Sequence, residues 1–372
     1  MAIHIFTVNE RTFKIHLNYM FAGTGKDGSE HQTGALADIS GLRVGDKVCF
    51  YVMNKGFFGF FKVKGKPFFE NYQNQYLDKE LGKTLTYRVL IEPAEVYQNY
   101  KSEWDVIENP QYIKNKSIYN LQWGWIFKKL NANRGCLSID NYEEKLLYKI
   151  ISLNNDKLSL GKNYDYSNGK ISVLNDDKKY NGDTNRKLRD NYPIFIEEDL
   201  RILFTSEANE NEILNQVLNK KEYGKINFIS NEVLCSFSER KLDLVYGTEK
   251  NYCLLIELKN DFVFNDKIYN QLKEYSRWIS SYKTFYKEII PILIIREAKL
   301  ISQRKNSKYY KYLSQDNVND NIVSPWYSEV LKRIIQAKES LRKEKINNLT
   351  DLQVFSFETD NQGTLLKFNK II

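Results

Sequence analysis

The chain has 372 residues, 42% of them apolar and 27% charged, which is ample material for buried cores and excludes a fibrous repeat or a wholly disordered polymer. Fifty-five Lys and Arg against 47 Asp and Glu leave a formal charge of +8, a modest excess that permits a polyanionic partner without requiring one. The four cysteines (Cys49, Cys136, Cys235, Cys253) form no CxxC pair and the three histidines (His4, His16, His31) all lie near the N-terminus, so a zinc ribbon or finger is poorly supported and histidine-dependent nuclease chemistry is excluded from the rest of the chain.

At this length two domains are expected, since a domain usually holds roughly 100–200 residues. Residues 1–100 are strand-rich by pattern. Ile3 to Val8 alternates, Lys47 to Val52 and Gly56 to Val63 are denser apolar runs, and Leu85 to Ile91 is a further strand candidate. Gly23 to Gly28 and Gly65-Lys66-Pro67 read as loops. Gly23-Thr24-Gly25-Lys26 lacks the spacing of a phosphate loop and is read as a turn. Glu143 to Leu153 closes this part as a short helix, and a small curled β-domain or barrel with flanking helices is the natural assembly. Residues 154–193 turn rich in Asn, Asp, Lys, Gly and Ser, with one strand-like island at Ile171 to Leu174, and read as a linker or surface insertion.

A second pattern begins at Pro193. Glu207 to Asn219 is predicted helical, 226–235, 241–247 and 252–258 as strands, 264–282 as a helix, Glu288 to Ile295 as a buried strand and Ser324 to Lys345 as a long amphipathic helix. This order predicts an α/β sheet with mixed strand directions, so the whole chain is expected to be α+β with two domains. No stretch approaches the ~18 uninterrupted apolar residues of a spanning helix. The N-terminus lacks a charged segment followed by a long apolar run, so no secretory signal is expected and a soluble, cytoplasmic protein is.

The chemistry concentrates around Asp243 and Glu257-Leu258-Lys259. Asp243 lies early in one apolar strand, and a short turn at Gly247 to Asn251 can return the chain so that Glu257 approaches it. Glu257 and Lys259, two apart on a strand, point to the same face. Acidic and basic side chains inside a Leu- and Ile-flanked strand need a compensating partner. A divalent cation is one: two carboxylates hold Mg²⁺ with its waters, and a neighbouring lysine orients or deprotonates the attacking water.

Asp243…Glu257-Leu258-Lys259 resembles the PD-(D/E)XK nuclease signature, in the form seen in NucS-like endonucleases and related restriction enzymes. Those proteins follow the Glu-x-Lys strand with a helix bearing Gln-Leu…Tyr, and this chain has Gln271-Leu272-Lys273-Glu274-Tyr275 there; Leu242 stands where the family often has proline. The resemblance implies Mg²⁺, replaceable by Mn²⁺, on Asp243 and Glu257, a water-positioning role for Lys259 and a supporting one for Gln271. It also implies a glutamate on the preceding helix. Among Glu207, Glu210 and Glu212, helix geometry places Glu210 nearest the stripe of Ile213, Leu214, Val217 and Leu218. A basic segment follows, with Lys283, Lys287, Arg296, Lys299, Arg304, Lys305 and Lys308; together with Lys273, the residues Arg296, Lys299, Arg304, Lys305 and Lys308 are candidate DNA contacts.

Toward the N-terminus, Gly45-Asp46-Lys47-Val48-Cys49-Phe50-Tyr51 followed by Gly56-Phe57-Phe58-Gly59 and Val63 resembles the EVE/YTH branch of PUA-like domains over residues 1–153. Those are small β-barrels that read a modified base by flipping it into a pocket, a step costing a few kcal/mol of unstacking. Trp104, Trp123, Trp125 and Tyr51 are candidate walls and Asn18 a candidate edge reader. The expected domains are therefore a PUA-like reader over 1–153, a linker or insertion over 154–193 and a PD-(D/E)XK nuclease over 194–372. The expected function is a Mg²⁺-dependent DNA endonuclease of the restriction type, modification-dependent, acting on double-stranded DNA as a homodimer. A type II enzyme reading an unmodified sequence, and a non-catalytic nucleic-acid-binding protein, are the alternatives.

Overall fold

In the computed structural model, residues 2–25, 32–70, 75–107, 135–188, 193–235, 240–283, 285–297 and 325–372 are described. The chain divides into two compact units, 1–190 with 228–230, and 191–227 with 231–372. Among the described residues no helix is long and apolar enough to cross a membrane.

The first unit is mixed α+β around a curled sheet, a half-barrel. Its strands are β1 (Ile3–Val8), β2 (Phe21–Thr24), β3 (Lys47–Val52), β4 (Gly56–Val63), β5 (Phe68–Phe69), β6 (Tyr87–Glu95), β7 (Lys101–Ser102) and β8 (Cys136–Ile139). They run in the order β2-β6-β4-β3-β1-β8, with β5 on β6 and β7 on β4. Only β1 and β3 are parallel, pairing Phe6 with Phe50 and Val8 with Val52. The connection between them carries helices α1 (Glu10–Tyr19) and α2 (Thr33–Ser40); α3 (Asp78–Leu81), α4 (Glu103–Ile107) and α5 (Asn141–Ser152) complete the helices described here. Asn9 starts α1, its side chain accepting from the Thr12 N–H at 2.8 Å. The helix then buries Phe13, whose ring lies 5.3 Å from Phe50 and 4.8 Å from Phe58. Each such buried aromatic contributes about 1.5–3 kcal/mol. Gly56 has φ +147, and a Cβ there would stand 2.1 Å from the Lys101 carbonyl oxygen, so the β4–β7 pairing requires glycine.

Residues 154–190 belong to this unit. They contain a hairpin of β9 (Asn163–Ser167) and β10 (Lys170–Leu174), turned at Asn168 (φ +50) and Gly169 (φ +77). Asn-Gly with both residues left-handed is a favoured hairpin turn. Tyr164 and Ile171 are fully buried, and the Asn18 amide of α1 donates to the Tyr164 carbonyl at 2.9 Å. The stretch expected as a linker or insertion thus carries a two-stranded hairpin whose Tyr164, Tyr166 and Ile171 are buried.

The second unit is built on six strands in sequential order: β11 (Ile226–Cys235), β12 (Arg240–Thr248), β13 (Tyr252–Lys259), β14 (Glu288–Arg296), β15 (Gln353–Thr359) and β16 (Leu365–Lys370). β12–β13 is antiparallel, β13–β14 and β14–β15 are parallel, and β15–β16 is antiparallel. β14 is buried along Ile289 to Arg296, as expected of a parallel strand covered on both faces. Its helices are α6 (Glu197–Glu207), the single turns α7 (Asn215–Leu218) and α8 (Lys220–Tyr223), α9 (Asp266–Tyr282) and α10 (Pro325–Lys343). Ile268 and Leu272 of α9 and Val330, Ile334, Ala337 and Leu341 of α10 form one cluster with Leu293 and Ile295 of β14.

Candidate active site

The β12–β13 register pairs Leu244 with Ile256, and one step further sets Asp243 opposite Glu257. The β13–β14 register pairs Glu257 with Leu293 and Lys259 with Ile295. Both functional side chains therefore share the sheet face that carries the α9–α10 cluster, and burial follows from position. Glu257 is 2% and Asp243 9% exposed.

The hydrogen bonding is incomplete in an informative way. Asp243 Oδ2 accepts from the Leu258 N–H at 2.8 Å, which locks the two strand ends together. Lys259 Nζ donates to Glu257 Oε1 at 2.8 Å and to the Leu258 carbonyl at 2.5 Å, and lies 3.8 Å from Asp243 Oδ2 and 3.7 Å from Glu197 Oε2. One ammonium thus serves three carboxylates. The other Glu257 oxygen, Oε2, is buried and has no hydrogen-bond partner. A buried, unsatisfied carboxylate oxygen costs about 1–3 kcal/mol or more.

The proton affinities record the same imbalance. Burial, aided by Asp243 and opposed by Lys259, pushes Glu257 up to about 8. Burial pushes Glu197 up to about 7, against the pull of Lys259 and with the push of Asp243. Asp243 is also raised, first by burial. Burial pulls Lys259 down, but Glu257, Asp243 and Glu197 outweigh it and its affinity rises. Two carboxyls poised near neutrality beside a charged lysine are a cluster able to exchange a proton or to exchange protons for a cation.

Among the described residues no three His, Cys, Asp or Glu side chains form a ready-made metal cage. Asp243 and Glu257 instead make an open pair with one orphaned buried oxygen. Such a hard-oxygen set, completed by waters, suits Mg²⁺, which usually keeps several waters and takes one or two carboxylates. The residues present fit the ion.

Several predicted residues fall elsewhere. The helix-borne carboxylate beside Lys259 is Glu197, not Glu210. Helix α6 spans Glu197–Glu207 and stops where Asn209 turns its side chain to the Ile226 backbone, accepting from its N–H at 3.0 Å and donating to its carbonyl at 2.8 Å. Glu210 lies in the following turn, its N–H on the Glu207 carbonyl. The missed signal was the acidic run Glu197-Glu198-Asp199, a helix first turn. Gln271 sits on α9 and donates to the Tyr275 hydroxyl at 3.3 Å; Tyr275 in turn donates to the Lys241 carbonyl at 2.7 Å, and Glu257 and Asp243 both help raise its proton affinity. Gln271 is thereby tied to Tyr275, whose proton affinity burial raises first and the two carboxylates raise further.

Arg296 is 4% exposed and committed to the fold: it donates to Asn260 Oδ1 at 3.0 Å, to Thr359 Oγ1 at 2.8 Å and to the Ile194 carbonyl at 2.9 Å. These bonds brace Ile194, Asn260 and Thr359 against one another. Lys273 pairs with Glu344. Lys299, Arg304, Lys305 and Lys308 lie outside the described residues, as do Trp123 and Trp125. Of the remaining pocket candidates, Asn18 spends its amide on Tyr164 and Asp165, Tyr51 is buried with its hydroxyl on Glu103, and Trp104 is 68% exposed. Asn18 lies on α1, Tyr51 on β3 and Trp104 on α4.

No protein-family model matches the chain, and no curated protein matches it.

Proposed function

We propose that the second unit is a divalent-metal-dependent endonuclease of the PD-(D/E)XK type that hydrolyses phosphodiester bonds in DNA. The observation that carries this reading is the Glu257 carboxylate, sealed at the end of β13 with Oε2 lacking any partner, beside Asp243 and the shared Lys259. A purely structural ion pair would satisfy that oxygen. Asp243 and Glu257 would hold Mg²⁺ or Mn²⁺. The bound ion would supply charge for the phosphoryl oxygens and acidify a water.

The protein groups then have separable tasks. Lys259, anchored by Glu257 at 2.8 Å and by the Leu258 carbonyl at 2.5 Å, presents its third ammonium proton to the attacking water or to a phosphate oxygen. Glu197, with its proton affinity near 7 and its carboxylate 3.7 Å from Lys259, can take a proton from that water through a bridging solvent molecule. Gln271, held by Tyr275, supports the pair from α9.

In the same reading the first unit is a PUA-like reader that takes a flipped, modified base, and the enzyme is of the restriction type, acting as a homodimer on duplex DNA. Support for the reader is the curled sheet with α1 packed on it and the aromatic density around Phe13, Phe50 and Phe58. The test is incubation with Mg²⁺ and matched duplexes carrying no modification, modified cytosine or N6-methyladenine. Cutting confined to one modified form is expected, and Asp243→Ala should abolish cutting while leaving binding. Retained cleavage by Asp243→Ala would sink the assignment; cutting of unmodified DNA at fixed sites would replace the reader by direct sequence recognition.

A further inference from the structure

Three arginines are buried among the described residues: Arg88 at 0%, Arg296 at 4% and Arg201 at 8% exposed. Two of them are well hydrogen-bonded. Arg88 donates from Nε to the Leu85 carbonyl at 3.0 Å and from Nη1 to the Tyr180 hydroxyl at 3.1 Å, and Arg296 makes three hydrogen bonds. Arg201 is different. Its Nε is sealed with no hydrogen-bond partner, and Nη1 has one ionic neighbour among the described residues, Glu232 Oε1 at 3.4 Å. A guanidinium carries five N–H donors and keeps its charge throughout the working pH range of proteins. Burying it with so few partners is costly unless a further anion arrives.

Its position says which anion. Arg201 lies four residues after Glu197 on α6, so the two share one helix face, and Glu197 Oε2 is 3.7 Å from Lys259. Burial, the largest influence, raises the proton affinities of Asp243 and Glu197; the Arg201 charge pulls both back, which sets the guanidinium within electrostatic reach of each. Glu232 holds it from the other side. That residue has φ +47 inside β11, a left-handed conformation costly for any residue but glycine and found most often where function over-determines it. Its Oε1 meets Lys241 at 3.7 Å as well as Arg201. Lys241 stands two residues before Asp243 on β12, hence on the same face of the sheet. Lys259 meanwhile spends two of its three donors on Glu257 and the Leu258 carbonyl.

We propose that Arg201 binds the scissile phosphate, its guanidinium holding the non-bridging oxygens and balancing the charge on them as water attacks. This rests on the nuclease reading above. In the step it serves, the water oxygen bonds to phosphorus and the bond from phosphorus to the leaving sugar oxygen breaks. One water proton passes to Glu197, and the leaving oxygen takes a proton from solvent. Phosphoryl transfer depends on fixed positive groups at those oxygens, and Lys259, with one donor left for the water, cannot supply them alone. An arginine fork matches two phosphate oxygens at once, which a lysine does not.

The test has two arms. In the first, single-turnover cleavage of a short DNA duplex by the parent, Arg201→Gln and Arg201→Lys is followed at rising Mg²⁺. With Mg²⁺ saturating, Arg201→Gln should cut about 10²–10³-fold more slowly, and Arg201→Lys, which lacks the fork, should regain less than about tenfold of that. Arg201→Gln cutting at the parental rate once Mg²⁺ saturates would overturn the proposal and leave Arg201 a counter-charge for Asp243 and Glu197. The second arm needs no cutting and decides the matter if Arg201→Gln fails to fold. It follows the Arg201 Nε–H signal by arginine side-chain NMR in the Lys259→Met chain, with Arg201→Lys assigning it. The signal should move when the duplex is added with Mg²⁺ and stay in place with a duplex of neutral methylphosphonates. A signal that ignores DNA, or moves equally with the neutral duplex, overturns the proposal, and cleavage by the parent then leaves the nuclease reading standing. A signal that responds to the charged duplex alone, in a chain whose parent never cuts, keeps the phosphate contact and ends the nuclease reading.

Discussion

Glu257→Gln separates the cost of the site from its use. The Glu257 carboxyl is held at about 8 by burial and Asp243, against 4.5 for the free side chain. Between those values the native chain binds the proton and the unfolded chain does not. Stability in the absence of metal is therefore greatest below 4.5 and declines as pH rises toward 8. At ~1.4 kcal/mol per pH unit this amounts at pH 7 to about 3 kcal/mol at most, the pull of Lys259 being already part of that proton affinity. Glutamine keeps the shape and removes the ionisation. In EDTA at pH 7–8 the variant should melt above the parent by about 4–8 °C, for a unit of this size, and at pH 5 the two should coincide. Added Mg²⁺ should raise the parent and leave the variant unmoved, and cleavage should be lost. A parent Tm flat from pH 5 to 8, with a variant less stable than it at pH 8, would refute the assignment of strain to this carboxyl.

Lys259→Met should lower the cleavage rate by about 10²–10⁴-fold while duplex binding, measured by anisotropy, changes little, because one ammonium on the reacting water acts mainly in the transition state. Arg296→Ala removes three hydrogen bonds from a buried guanidinium and should destabilise the second unit by about 3–5 kcal/mol in urea titrations; a variant of normal stability with weakened DNA affinity would return Arg296 to the DNA surface. Asn18→Ala breaks the tie from α1 to the β9–β10 hairpin and should cost about 1–3 kcal/mol, with faster amide exchange across 163–174 as the readout.

The site was legible where chemistry and periodicity coincided. Asp243, Glu257 and Lys259 stood out because charged residues interrupt apolar strands at positions that alternation sends inward, and β12, β13, α9 and β14 lie close to their predicted spans. Glu197 was hidden because the apolar stripe 213–218 looked like helix continuation. A single turn, α7, occupies that region, and Asn219 at φ +38 separates it from α8. Arg296 illustrates a limit of composition: a basic residue in a basic stretch gives no hint that it bonds three partners from distant segments. The β9–β10 hairpin was obscured by composition, although Asn168-Gly169 marked its turn. Burial of Tyr164 and Ile171 depends on α1, which no local window contains.

Asp243 and Glu257 stand on the two arms of one hairpin, closed at 248–251, whereas Glu197, α9 and β14 arrive from elsewhere in the chain. A hairpin closes in about 1–10 μs, well before distant elements dock. During folding the two carboxylates are therefore neighbours while still hydrated and ionised, and only the later arrival of β14 and α9 makes their charge costly. The last step of assembly has two endings: the pair enters the interior with a cation between its oxygens, or it enters with a borrowed proton. On the proposed metal-dependent reading, divalent-ion supply at the moment of synthesis would decide which of the two forms a newly made molecule takes.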